Sequence, residues 1–151
     1  MSKYFHDAQN RKYKIKIKTI LPVRDNWYPA CQSWKRWVKF PLKKYVSIVF
    51  TPFYIVFKKR NMKLLEIPYD DIYNWGNGNH KYFNFAWKLT DHTIIHKNKD
   101  KIMNYFSIYR NCIIYIKPLN VPPNILNTTM DTYKTYISSK QYINNRRRHT
   151  V

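Results

Sequence analysis

Between residues 12 and 20 the chain reads Lys-Tyr-Lys-Ile-Lys-Ile-Lys-Thr-Ile, a strict alternation of polar and apolar positions. A period of two places Tyr13, Ile15 and Ile17 on one face of a β-strand and Lys12, Lys14, Lys16 and Lys18 on the other. Tyr82 to Leu89 alternates in the same way, with Phe83, Phe85, Trp87 and Leu89 sharing a face. The β-branched and aromatic run from Tyr45 to Phe57 predicts two strands meeting at Thr51-Pro52, or one bent edge strand. Met62 to Ile67 is a further short strand, and Cys112 to Lys117 a buried one stopped by Pro118. Thr93 to His96 continues the sheet after a turn at Thr90-Asp91.

Helical spacing appears in three places. Ser33 caps a short helix through Phe40, with Trp34, Trp37 and Val38 on one face and Pro41 ending it. In Lys99 to Arg110, Ile102, Met103, Phe106 and Tyr109 cluster on one side. Thr128 to Ile143 predicts a polar C-terminal helix with Tyr133, Tyr136, Ile137 and Lys140 along one stripe. Pro68 to His80 reads as a loop and Pro122-Pro123 as a stiff linker. Together these elements predict an α+β fold: a small, mainly antiparallel sheet with two or three helices and basic terminal extensions. The expected organisation is an extension over 1–11, a domain over 12–120, and a linker, helix and basic tail over 121–151.

Charge changes the picture most. Twenty-eight Lys and Arg stand against eight Asp and Glu, a formal charge of +20, and Glu66 is the sole glutamate. Such a chain repels itself unless a polyanion sits against it, and nucleic acid or an anionic membrane surface would serve. The 44% hydrophobic and 18% aromatic content excludes a basic disordered tail. Glycine occurs twice, at Gly76 and Gly78, which excludes Gly-rich phosphate loops. Cys31 and Cys112 form neither a disulfide framework nor a metal motif and read as buried thiols. Met1 to Lys18 lacks the apolar segment of a secretory signal. As a helix, Tyr45 to Phe57 would span about 20 Å, short of the ~30 Å hydrocarbon core of a bilayer.

Several constellations carry candidate chemistry. Residues two apart on a strand lie about 6.6 Å from each other, so Lys12, Lys14, Lys16 and Lys18 form a ladder of ammonium groups. Set against phosphates it is a binding row; facing water it is an edge-protecting polar face. No Glu interleaves it, as a solvated face of mixed sign would have. Ser33 to Lys39 interleaves aromatics with Lys35, Arg36 and Lys39; Trp34 and Trp37 either pack inward or stack on unpaired bases. Lys43, Lys44, Lys58, Lys59, Arg60 and Lys63 extend the basic set, as do Arg146, Arg147 and Arg148, whose forks pair with phosphates. His92 and His96 lie four apart beside Asp91, without the further ligands a metal site needs. Asp70-Asp71 is the sole adjacent carboxylate pair and suits a turn or helix start. No Ser-His-Asp pattern, P-loop or dinucleotide fingerprint is present, so neither an enzyme nor a cofactor or metal is expected.

The bias toward Lys, Asn, Ile, Tyr and Phe, against Gly, Ala and Glu, matches AT-rich codons. In this the chain resembles proteins encoded in the AT-rich mitochondrial genomes of some protists. Those are often basic, aromatic-rich subunits of mitochondrial ribosomes or respiratory complexes. The likeness is compositional, spreads over the whole chain and rests on no motif. It implies a structural, rRNA-binding subunit of a mitochondrial ribosome, packed against neighbouring proteins. The alternative is a non-catalytic accessory subunit of an inner-membrane complex, respiratory or ATP synthase, with its cations on anionic lipid and acidic partners. Either implies the mitochondrial matrix or the matrix face of the inner membrane, and no small-molecule substrate.

Overall fold

A computed structural model describes residues 11–23, 44–78, 81–105 and 111–135. Within them the chain forms strands β1 (Arg11–Val23), β2 (Tyr45–Phe50), β3 (Tyr54–Lys59), β4 (Met62–Pro68), β5 (Ile72–Gly76), β6 (Phe83–Lys88), β7 (Ile94–Ile95) and β8 (Asn111–Pro118). A short helix, α1 (Lys99–Tyr105), precedes β8, and a helical stretch, α2 (123–135), follows it. All eight strands belong to one sheet in the order β5-β6-β8-β1-β2-β3-β4-β7. Every neighbouring pair is antiparallel.

The expected small sheet with two or three helices is therefore overturned. Among the described residues the fold is mostly an eight-stranded antiparallel sheet, with helix a minor part of it. Part of the reason lies in 68–80, expected as a loop. It forms a 3-10 turn over Tyr69–Asp71 and then β5, which pairs with β6 from Ile72 opposite Trp87 to Gly76 opposite Asn84. The predicted helix at 99–110 is described only to Tyr105, and Met103, expected to face inward with Ile102, is exposed. Pro122-Pro123 is not a linker. Pro123 opens α2, where a fixed φ and a missing N–H cost nothing. The helix thus begins five residues before the expected Thr128.

The sheet is curled. Neighbouring strands lie about 4.8 Å apart, so six steps across a flat sheet separate β4 from β5 by roughly 29 Å. The connection from Pro68 to Ile72 contains only Tyr69–Asp71, and four residue steps reach at most about 14 Å. The two strands meet because the sheet rolls round. Phe57 of β3 and Phe85 of β6, four strands apart in the order, stack with ring centroids 6.5 Å apart across the interior.

That interior is apolar and aromatic. Ile15, Ile48, Phe50, Ile55, Phe57, Ile67, Phe83, Trp87, Ile114 and Ile116 are wholly buried. The run Tyr45 to Phe57 contributes two strands of this core, joined at Thr51, whose hydroxyl donates to the Tyr54 carbonyl at 2.7 Å. Among the described residues no ladder joins β5 to β4, and α2 lies across this opening. Its Leu126, Met130 and Tyr133, at helical spacing, enter the same cluster. Tyr133 stacks on Tyr69 at 5.4 Å and packs against Phe50 at 5.9 Å. Lys134 donates to the Tyr69 and Ile72 carbonyls, both at 2.8 Å. The Trp75 indole N–H donates to Asp131 at 2.6 Å.

Candidate nucleic-acid interface

Once Tyr13, Ile15 and Ile17 are committed to the core, Lys12, Lys14 and Lys16 must point away from it. A bulge between Ile17 and Thr19 inserts Lys18, which is exposed, and shifts the strand's register. The ladders then carry the lysine row sideways. Lys16 stands directly opposite Lys117 of β8 on one side and Tyr45 of β2 on the other. Lys14 stands opposite Ser47, Ser47 opposite Lys58 of β3, and Lys58 opposite Lys63 of β4. Like charges directly opposite on an antiparallel pair are destabilising, and this face has two such pairs.

Nothing within these strands compensates the Lys16–Lys117 pair, whereas Lys63 of the other pair has Glu66 on its own strand. β6, β8, β1, β2 and β3 are contiguous in the sheet and contain no Asp or Glu. Lys12, Lys14, Lys16, Lys58 and Lys117 have no carboxylate partner among the described residues. Lys63 is the exception, 3.6 Å from Glu66. The described acids lie elsewhere: Glu66 on β4, Asp70 and Asp71 in the 3-10 turn, Asp91 after β6, Asp100 on α1 and Asp131 on α2. Charge is thus sorted by element, with cations alone on the outside of the central strands.

The remaining predicted cations fall at the rims. Lys44 is exposed just before β2, and its carbonyl accepts from the Ile17 N–H at 2.7 Å. Lys59 is half-buried beside the β3–β4 turn, opposite Met62. Arg60, at that turn, holds a left-handed φ of 56°. Lys35, Arg36, Lys39, Lys43, Arg146, Arg147 and Arg148 lie outside the described residues, as do Trp34, Trp37 and Cys31.

Two members of the face escape sequence reasoning. Lys117 is about a hundred residues from Lys16 in the chain, and only the β1–β8 ladder brings them together. Tyr45, read as part of an apolar run, alternates outward because Val46 and Ile48 turn inward; it is 57% exposed, with the Lys16 Nζ 5.7 Å from its ring centroid.

The other constellations have structural partners. His96 Nε2 lies 2.7 Å from the Glu66 carboxylate. Among the described residues no three His, Cys, Asp or Glu side chains come together to hold a metal ion. Asp70 and Asp71 fall in the first turn of the 3-10 helix, and Asp71 accepts from the Thr90 hydroxyl at 2.6 Å. Burial depresses the Lys134 ammonium below the ordinary lysine range, while Asp70 and Asp71 pull it back up. Burial, and then Tyr133 beside it, pushes the Tyr69 phenol far up. Cys112 is a buried free thiol whose ionisation burial likewise pushes up. Lys134 and Tyr69 join α2 to the sheet, whereas Glu66, held by His96, lies at the rim of the lysine surface beside Lys63. Among the described residues no helix is long and apolar enough to cross a membrane.

No protein-family model matches the chain, and no curated protein is significantly similar to it.

Proposed function

We propose that this protein is a structural RNA-binding subunit of a large ribonucleoprotein, which lays the lysine face of β8, β1, β2 and β3 against RNA phosphates. One observation carries the reading: Lys16 of β1 stands directly opposite Lys117 of β8, within five contiguous strands that contain no Asp or Glu. Such a surface is unfavourable in the free chain and favourable against a row of anions, because each neutralised phosphate releases a counterion. In keeping with the compositional resemblance, we assign the particle to a mitochondrial ribosome, where the protein neutralises rRNA and packs against neighbouring subunits. It acts without a cofactor and without catalysis.

The alternative, an accessory subunit of an inner-membrane complex, calls for an apolar, aromatic band beside the cations, for which Tyr45 to Phe57 is the longest apolar run. Val46, Ile48, Phe50, Ile55 and Phe57 of that run face the interior, so the run offers no continuous apolar band beside the cations. Sedimentation of the native particle, before and after ribonuclease treatment, tests the proposal. The chain should travel with an RNA-containing particle and change position when the RNA is digested. Recovery in a membrane complex devoid of RNA, unmoved by the nuclease, overturns it.

A further inference from the structure

We infer that the lysine face takes single-stranded RNA, and that Tyr45 stacks an unpaired base beside Lys16. The inference rests on the RNA reading above and goes beyond it by naming the form of the nucleic acid and the residue that distinguishes it. Tyr45 is a large ring left open on the outer side of the sheet, at 57% exposure, although Val46 beside it is buried. It is the first residue of β2. The ladder pairs it with Lys16, and Lys16 with Lys117, so ring, ammonium and ammonium stand in one row across β2, β1 and β8.

The spacing suits a nucleotide. Directly opposite side chains start about 5 Å apart and those two along a strand about 6.6 Å apart. A base laid on the Tyr45 ring therefore has its flanking phosphates within reach of Lys14, Lys16 and Lys117. Lys16 lies over one face of the ring, so a base stacks on the other face, with the ring between base and cation. A duplex keeps its bases stacked inside and meets the face through phosphates alone, whereas an unpaired strand uses both ring and cations. Charge complementarity over the same residues commits the surface to this occupant.

The test uses the full-length protein and two fluorescein-labelled probes at fixed salt: a twelve-nucleotide single-stranded RNA without self-complementarity, and the blunt duplex of the same sequence. Tyr45→Leu should weaken single-strand binding by about 5- to 150-fold, the range for loss of one aromatic–base stack. It should leave the salt slope and the duplex affinity unchanged. Tyr45→Phe should retain wild-type affinity, which guards against a fold defect in the leucine variant; melting temperatures of both should match wild type. Equal single-strand affinity for Tyr45→Leu and wild type, with Lys14→Gln/Lys16→Gln still impaired, overturns the stacking inference and leaves the RNA reading standing. Absence of salt-sensitive binding to either probe, or binding only to anionic phosphatidylserine vesicles, overturns both.

Discussion

The two faces of β1 differ in what holds their residues in place. Tyr13, Ile15 and Ile17 point into the rolled sheet. Tyr13 meets the Phe50 ring edge-on at 6.1 Å, and its hydroxyl lies 3.3 Å from Thr129 of α2. Each of these contacts joins segments distant in sequence. On the outer face of the same strand, Lys12, Lys14 and Lys16 meet Ser47, Val49, Tyr45 and another lysine, with no described acid to pair them. The inner residues are explained by the chain itself. The outer ones are costly to the chain alone, which is why we look outside it for their partner.

If the faces are separable, substitutions should divide cleanly between stability and binding. The largest effect belongs to the core: Ile15→Ala removes a wholly buried side chain and should cost about 2–5 kcal/mol in urea unfolding. A loss under about 0.5 kcal/mol would mean that the curled interior is misdescribed. Next comes the latch between α2 and the sheet. Lys134→Ala removes two hydrogen bonds, to the Tyr69 carbonyl, which keeps the Ile72 N–H, and to the Ile72 carbonyl, and should cost about 1–3 kcal/mol, while RNA affinity per folded molecule stays level. An RNA defect in this variant at unchanged stability would extend the binding surface to α2.

Arg60 mixes the two roles. The Arg60-Asn61 turn joins Lys59 to Met62, and Arg60 carries the positive φ that glycine accepts without strain. Arg60→Gly should therefore raise stability by up to about 1 kcal/mol and at the same time weaken RNA binding. A stability gain without any binding loss would remove Arg60 from the interface. The smallest stability change is expected on the lysine face, where Lys14→Gln/Lys16→Gln should stay within about 0.5 kcal/mol of wild type.

Alternation made the central strands legible. β1 and β6 were readable because each buries one face, so apolar and polar positions take turns; Phe83, Phe85, Trp87 and Leu89 are all inside, as that pattern requires. β5 was hidden because its five residues place only Ile72 fully inside and run into Gly76, Asn77 and Gly78, which look like a turn. α2 was misplaced because Pro122-Pro123 signals a break, and a proline at a helix start signals the opposite. Curvature left no local mark at all. It follows from which strands pair, and from a three-residue connection that must join distant members of the sheet. The candidate site divides the same way. The Lys12, Lys14 and Lys16 ladder was visible as a pattern, whereas Lys117 and Tyr45 joined it through long-range ladders that no spacing in the chain encodes.

The salt dependence of RNA binding by wild type and by Lys14→Gln/Lys16→Gln tests the central claim most directly. On a single-stranded probe, log affinity against log salt should be steep for wild type. Removing the two charges should make it shallower by about 1.4, at roughly 0.7 per lost phosphate contact. Melting curves of the two proteins should superimpose. An unchanged slope, or a slope near zero in wild type, would contradict the account, and the lysine row of β1 would then be no more than a solvated outer face of the sheet.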